Sequence, residues 1–74
     1  MFHKIYVDFN SRTGPHGIII HPSVISAGTT IYHAGDLVTL YDEELEVDAR
    51  LEYHAEEQWW VGIPDWSTKR NIPN

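Results

Sequence analysis

The chain of 74 residues contains no cysteine and only one methionine. Disulfides and cysteine-based zinc sites are therefore excluded as sources of stability. The sequence also lacks a signal-peptide pattern and an apolar run of transmembrane length. These absences predict a cytoplasmic protein without membrane association, folded as one small domain over residues 1–74. Its core must rely on large apolar side chains, and three Trp, four Tyr and two Phe supply them.

Positive charge is scarce in the middle of the chain. Residues 36–65 carry ten acidic side chains against a single base, Arg50, so this segment accounts for −9 in a chain whose net charge is −6. Binding to nucleic acid requires Lys and Arg, and the sequence therefore predicts no nucleic-acid partner. The acidic segment is interpreted either as a solvated face or as a surface that attracts a basic partner.

Motifs that mark catalysis or cofactor binding are also missing. The sequence has no cysteine nucleophile, no GxSxG, no phosphate loop, no GxGxxG and no HExxH. We therefore expect no enzymatic activity, no cofactor and no native metal site. A small metal- or ligand-binding protein that uses His16, His21 or His33 with nearby acids stays open as an alternative.

Alternation of apolar and polar residues predicts strands along most of the chain. In FHKIYVDF, Ile5 and Val7 point to one side, and GIII is a β-branched run typical of a second strand. The segment at residues 42–54 is ambiguous, because its Glu, Leu, Ala and Arg residues favour a helix. Apolar residues nevertheless occupy every second position from Leu45 to Tyr53, with charged residues between them, which predicts a strand.

The adjacent tryptophans in EEQWWVGIPDW must point to opposite faces if this segment is a strand. Pairing Tyr53 with Trp59 places Leu51 opposite Val61, so that apolar residues face each other across the hairpin. This register predicts that Trp59 lies inside and that Trp60 lies outside. The alternative register, shifted by one residue, sets Trp59 and Val61 beside polar residues and is disfavoured.

Three smaller expectations complete the strand assignment. The preceding hairpin should pair Leu40 with Leu45 around the turn Tyr41–Glu44. The segment HPSVISAG should form one helical turn. If GIII lies at an open edge of the sheet, it invites pairing with another chain and hence a homodimer.

The pattern predicts an all-β fold, either a small SH3-like barrel or a strongly bent antiparallel sheet of five to six short strands. Residues 67–74 are expected to form a polar C-terminal tail. The succession over residues 34–66, AGDLVTLYDEELEVDARLEYHAEEQWWVGIPDW, resembles the SH3-like barrel class, in which a Gly-Asp turn leads a meander that ends in a tryptophan strand. It departs from signalling SH3 domains in element order and lacks their N-terminal peptide-binding motif.

The chain also resembles short bacterial proteins whose function is not known. The likeness covers most of the length and includes the segments YVDFN, VTLYD, ELEVDA and PDW. It implies no activity, ligand or partner.

The function predicted from these observations is a non-catalytic interaction module. It is expected to present an acidic, aromatic-bearing face to a basic protein partner or to a second copy of itself. The residues assigned to this face are Tyr41, Glu46, Asp48, Glu52, Trp60 and Trp66. One alternative is an inhibitor that mimics nucleic acid with its acidic rows. Another possibility is that the C-terminal segment folds back, so that Lys69 or Arg70 meets the acidic strand.

Overall fold

The computed structural model describes residues 2–14, 17–26 and 30–73. The described residues form seven strands, one short α-helix and one 3₁₀ helix. In chain order these are β1 (His3–Tyr6), β2 (Arg12–Thr13), β3 (Gly17–Ile20), α1 (Pro22–Ser26), β4 (Leu37–Tyr41), β5 (Leu45–His54), β6 (Trp59–Pro64), the 3₁₀ helix Trp66–Thr68 and β7 (Arg70–Asn71).

All seven strands belong to one sheet that bends around a single core. The strand order is β1-β4-β5-β6-β3-β2, and β7 lies beside β5. A flat sheet with a strand spacing of about 4.8 Å would separate β1 from β3 by roughly 19 Å. Ile5 of β1 and Ile18 of β3 nevertheless pack in the same cluster. The predicted all-β fold is thus confirmed as a bent sheet. Among the described residues, β1 and β2 are the two end strands of the sheet and do not pair with each other. The sheet is therefore not a closed barrel.

Three details of the sheet differ from the prediction. β1 runs parallel to β4, with Ile5 opposite Leu40, whereas the other strand pairs are antiparallel. The strand count rises to seven because β2 and β7 add two residues each. GIII forms β3, which lies between β6 and β2, so the open-edge position on which pairing through GIII depended is not found.

The core consists of residues at alternate positions of the strands, as the sequence pattern predicts. On β5, Val47, Ala49 and Leu51 are buried, while the charged residues between them lie on the outer face. Side-chain periodicity therefore outweighs the helix propensity of this segment, because burial of an apolar face stabilises a strand more than propensity stabilises an isolated helix. The other core residues are Ile5, Val7, Ile18, Ile20, Val38 and Leu40.

The first hairpin keeps the predicted faces but not the predicted register. Leu40 lies opposite Val47, and not opposite Leu45. A shift of two residues preserves which side chains point inward, so the core is unchanged. The turn is closed by Asp42, whose Oδ1 accepts hydrogen bonds from the backbone N–H groups of Glu44 at 2.8 Å and Leu45 at 2.9 Å.

The second hairpin has the register that the sequence disfavoured. Tyr53 lies opposite Trp60 and Leu51 lies opposite Gly62. Gly62 fits there because a Cβ atom at this position would lie 2.6 Å from Leu40 Cδ1. The connection is a turn over residues 55–58, closed by Gln58 with a positive φ of 61°. A shift of one residue reverses both faces, so the predicted orientation of the two tryptophans is wrong.

The C-terminal segment continues alongside β5 after β6 ends. Asp65 caps the 3₁₀ helix, and Thr68 Oγ1 accepts the Asp48 N–H at 2.9 Å. β7 then pairs with the start of β5, where Glu46 lies opposite Arg70. The region predicted as a polar tail thus contributes a strand to the sheet. The described residues contain no helix with the length and apolar character needed to span a bilayer.

Candidate functional site

The outer face of β1, β4 and β5 is organised in three rows of side chains that follow from strand register. The first row runs from Tyr6 to Tyr41 and Glu46. The second joins Lys4, Thr39 and Asp48, and the third joins Leu37, Arg50 and Ile63 across β4, β5 and β6. Because paired residues lie on the same side of a sheet, each row forms a contiguous strip of surface. The first strip is aromatic and acidic, the second is ionic, and the third is largely apolar.

Two of the predicted acidic residues, Glu46 and Asp48, are bound by cations of the chain itself. Lys4 Nζ lies 3.1 Å from Glu46 Oε2, and Arg70 Nε donates to Glu46 Oε1 at 3.1 Å. Arg70 also donates from its second terminal nitrogen to Asp48 Oδ1 at 3.1 Å. Asp48 Oδ1 accepts a further hydrogen bond from Thr39 Oγ1 at 3.1 Å. These ion pairs connect the first strip with the second, and we call the four residues Lys4, Glu46, Asp48 and Arg70 the ionic row.

The contacts in the ionic row shift the pKa values of Glu46 and Arg70. Hydrogen bonds from Lys4 and Arg70 hold the pKa of Glu46 below its ordinary value, and burial opposes them only in part. Hydrogen bonds to Asp48 and Glu46 raise the pKa of Arg70. The row therefore carries two positive and two negative charges at neutral pH and is not an uncompensated acidic surface.

The other predicted residues occupy different surroundings. Glu52 receives a hydrogen bond from Arg50 at 2.9 Å and lies 3.7 Å from His54 Nε2. Trp60 packs against the core and meets Tyr53 edge-on, with ring centroids 5.3 Å apart. Its predicted outward position is wrong, since the register turns it inward. Trp66 is 45% exposed.

The predicted face is therefore assembled only in part, since Tyr41 and the acids of β5 share the outer face of the sheet, whereas Trp60 does not. Trp66 contacts Phe9, at a centroid distance of 6.0 Å. Trp60 lies on the core side, and the acids of β5 meet basic groups of the chain. Of the six residues, Tyr41 alone lies beside an uncompensated group of acids within the described part of the chain.

Tyr41 belongs to a cluster that sequence reasoning missed. Its ring meets the Tyr6 ring edge-on, with centroids 5.5 Å apart and planes at 80°. The Tyr6 hydroxyl donates a hydrogen bond to the Glu43 carboxylate. That hydrogen bond, followed by burial and the charges of Glu43, Asp42 and Asp8, raises the pKa of Tyr6. We call Tyr6, Tyr41, Asp8, Asp42 and Glu43 the tyrosine patch.

The carboxylates of the tyrosine patch form no ion pair with any described residue. Asp8 accepts from the Asn10 N–H at 2.9 Å, and Asp42 is occupied by backbone N–H groups of its turn. These bonds fix the carboxylates without neutralising them. Three negative charges thus act on Tyr6, whose ring meets that of Tyr41, an arrangement suited to a cation.

A groove lies next to the patch, at the open seam between the two ends of the sheet. It has a volume of about 450 Å³. The main residues along its walls are Tyr6, Val7, Ser11, Ile19, Val24 and Trp59. We call it the seam groove. The indole nitrogen Nε1 of Trp59 is buried and has no hydrogen-bond partner among the described residues.

A second groove, of about 470 Å³, lies over the apolar row. Phe2 and Leu37 line it together with Ile63 and Pro64. Arg50, which also lines it, is engaged by Glu52. Asp65 also lines this groove and forms no ion pair among the described residues, since its carboxylate accepts hydrogen bonds from Ser67. This is a single carboxylate, in contrast to the three acids of the tyrosine patch.

Neither the histidines nor the serines described here form a reactive constellation. His21 Nδ1 accepts the Ser23 N–H at 3.2 Å and lies 2.7 Å from Ser23 Oγ, an arrangement that caps the start of α1. His33 Nδ1 lies 3.8 Å from Asp36. Among the described residues, no three His, Asp or Glu side chains are placed so that they could hold one metal ion, and His16 lies outside these residues.

Comparisons of the chain with protein-family models, curated proteins and solved structures found no match. The SH3-like resemblance therefore stays a prediction.

Proposed function

We propose that this protein is a non-catalytic interaction module and that the tyrosine patch binds a positively charged segment of a partner protein. The observation that carries the proposal is the contrast between two acidic surfaces. Glu46 and Asp48 are neutralised within the chain. Asp8, Asp42 and Glu43, on the other side of the Tyr6–Tyr41 pair from Glu46, have no cationic partner among the described residues.

Each component of the patch contributes differently to binding. An aromatic ring attracts a Lys ammonium or Arg guanidinium at its face by about 0.5–2 kcal/mol, depending on how well the pair is desolvated. Carboxylates form charge-assisted hydrogen bonds with the same cation and accelerate its approach. The edge-to-face contact of Tyr6 and Tyr41 orders both rings before binding, which lowers the entropy lost when the complex forms.

A basic partner fits the patch better than a second copy of the chain. An isologous dimer through the patch would bring like carboxylates together, and the whole chain carries −6. The absence of cysteine supports action in a reducing compartment such as the bacterial cytoplasm.

The test uses a defined cationic peptide, Ac-Gly-Lys-Gly-Arg-Gly-NH₂, and its analogue with Glu in place of both bases. Heteronuclear NMR should show shifts confined to the tyrosine patch (Tyr6, Asp8, Tyr41, Asp42 and Glu43) with the basic peptide and none with the acidic one. The double substitution Asp42→Asn with Glu43→Gln should weaken binding about tenfold, since it removes two charge-assisted contacts.

A control with the same charge change separates specific from diffuse attraction. Glu56→Gln combined with Glu57→Gln neutralises two acids of the exposed 55–58 turn. This variant should retain wild-type binding after salt is matched. Equal weakening by both double variants, or shifts spread over all acidic residues, would show nonspecific charge attraction and overturn the proposal.

A further inference from the structure

We propose that the basic segment binds as an added strand on the open edge of β1, with an apolar side chain in the seam groove. This inference rests on the proposed function, because it specifies the conformation and sequence of the segment that the tyrosine patch recognises. The occupant is an extended peptide of a partner protein in which basic and apolar residues alternate.

The first support is the orientation of backbone groups on β1. Val7 N–H donates to the Tyr41 carbonyl at 3.0 Å, in register with the parallel β1–β4 ladder. N–H and C=O groups alternate in direction along a strand, so Ile5 shares the orientation of Val7 towards β4. Lys4 and Tyr6 therefore direct their backbone groups to the opposite edge. Within the described residues, no strand pairs with that edge.

The second support is the position of the seam groove beside the same edge. Tyr6 and Val7 form one wall, and Ile19, Val24 and Trp59 contribute apolar surface around the rest. Its volume of about 450 Å³ falls in the range of about 300–1,000 Å³ typical of ligand sites. An apolar side chain placed there would be removed from water by these residues. Asp8, Ser11 and His21 form the polar part of the lining.

The third support is that Tyr6 belongs to the tyrosine patch, to the open edge of β1 and to the seam groove. Its ring belongs to the tyrosine patch, its backbone lies on the open edge, and it lines the seam groove. Neighbouring side chains of an extended segment point to opposite sides. A strand added beside Tyr6 would therefore place one side chain at the patch and the next towards the groove. Charge complementarity with Asp8, Asp42 and Glu43 requires that the first of these be basic.

The test compares two peptides of identical composition, Ac-Lys-Val-Lys-Val-Lys-Val-NH₂ and Ac-Val-Val-Val-Lys-Lys-Lys-NH₂. The alternating peptide should bind about tenfold more tightly, because it presents Lys to the patch side and Val to the groove side over its whole length, whereas the block peptide has a single Val–Lys junction. Amide hydrogen exchange at Lys4 and Tyr6 should slow when it binds. Exchange at Ile5, whose N–H already faces β4, should change less.

Backbone methylation of the alternating peptide decides whether main-chain pairing occurs and requires no change in the protein. N-methyl groups on all Val residues, or on all Lys residues, block opposite edges of the added strand. One of the two methylated peptides should lose about tenfold in affinity while the other keeps it, since about two hydrogen bonds of roughly 0.5–1.5 kcal/mol each are lost. Equal behaviour of the two methylated peptides would overturn the inference.

The outcomes distinguish this inference from the proposed function. If Asp42→Asn with Glu43→Gln abolishes binding but residue order and methylation have no effect, the patch binds cations and the strand-addition model is wrong. If the double variant binds both peptides normally, the proposed function itself is wrong, and the inference that rests on it fails as well.

Discussion

Arg70 donates a hydrogen bond from Nε to Glu46 Oε1 at 3.1 Å, across the short ladder between β7 and β5. The same guanidinium reaches Asp48 Oδ1 at 3.1 Å and the Thr68 carbonyl at 2.8 Å. An isolated surface ion pair contributes little. A planar group with several simultaneous bonds fixes geometry more strongly. Arg70 therefore both neutralises the acids of β5 and holds the C-terminal strand against the sheet.

Substitution of Arg70 should loosen the C-terminal strand. Arg70→Gln removes the charge and most of these bonds, so we expect a lower unfolding midpoint and faster amide exchange at Ile72, whose N–H donates to the Glu44 carbonyl at 2.8 Å. Lys69→Gln makes the same charge change at an exposed neighbouring position and should leave the Ile72 exchange rate unchanged. Equal exchange rates in the two variants would contradict a specific role for Arg70.

The ionic row also predicts how stability depends on acid. Hydrogen bonds from Lys4 and Arg70 lower the pKa of Glu46 in the folded chain. A lowered pKa contributes stability that is complete above about pH 4.3, the ordinary pKa of glutamate, and that disappears as pH falls through the folded-state value. Urea unfolding from neutral to acidic pH should show Glu46→Gln less stable than wild type at neutral pH. The two curves should converge in acid, whereas Glu57→Gln should follow the wild-type curve throughout.

Periodicity predicted the buried positions of β1 and β5 correctly, because burial of one face depends only on which positions alternate. It did not predict β2 and β7, and it assigned Trp59 and Trp60 to the wrong faces. The registers of both hairpins differ from the predicted ones, and the two differences have different consequences. The shift at Leu40 spans two residues and leaves the faces intact. The shift at Trp60 spans one residue and reverses them. Apolar pairing favoured the wrong choice there, since it ignored that Gly62 must lie beneath Leu40.

The opposite placement of two tryptophans predicts opposite tolerance to truncation. Trp60 packs against the core, so Trp60→Ala should cost about 2–3 kcal/mol, below the ~3–5 kcal/mol of a fully buried aromatic residue. Trp66 is half-exposed and its ring lies 6.0 Å from that of Phe9, so Trp66→Ala should cost about 1 kcal/mol. Urea unfolding measures both values. Iodide should quench Trp66 more strongly than Trp60 in variants that retain a single tryptophan.

The register of the second hairpin can be tested through Gly62. A Cβ atom there would lie 2.6 Å from Leu40 Cδ1, so Gly62→Ala should destabilise the fold by about 1–3 kcal/mol through overpacking. Leu40→Val makes room and should recover part of that loss in a double-mutant cycle. Gly17→Ala is a matched control, because its Cβ would meet Val61 at 2.5 Å, and Leu40→Val should not rescue it. A neutral Gly62→Ala would instead favour the register that pairs Leu51 with Val61.

The candidate site was less predictable than the core. Alternation correctly placed Tyr6 and Tyr41 on the outer face, and the acidic turn that contains Glu43 was visible in the sequence. Their meeting depends on the parallel pairing of β1 with β4, which connects residues far apart in the chain. Local pattern contains no signal for such a pairing. The fold-back of Arg70 onto Glu46 was recognised as an alternative, because a basic segment follows a strongly acidic one.

The hydrogen bond from Tyr6 to Glu43 predicts a change at alkaline pH. Glu43 raises the pKa of Tyr6 above the ordinary value of about 10, mainly through this bond and then through its charge. A raised folded-state pKa contributes stability that is complete below about pH 10 and is lost as pH rises through the folded value. Titration by NMR with labelled tyrosine should show that Glu43→Gln lowers the pKa of Tyr6. Glu44→Gln removes an adjacent charge in the same turn without touching the bond and should shift the Tyr6 titration much less. If the two variants shift it equally, charge alone governs Tyr6 and the hydrogen bond does not hold the two side chains together.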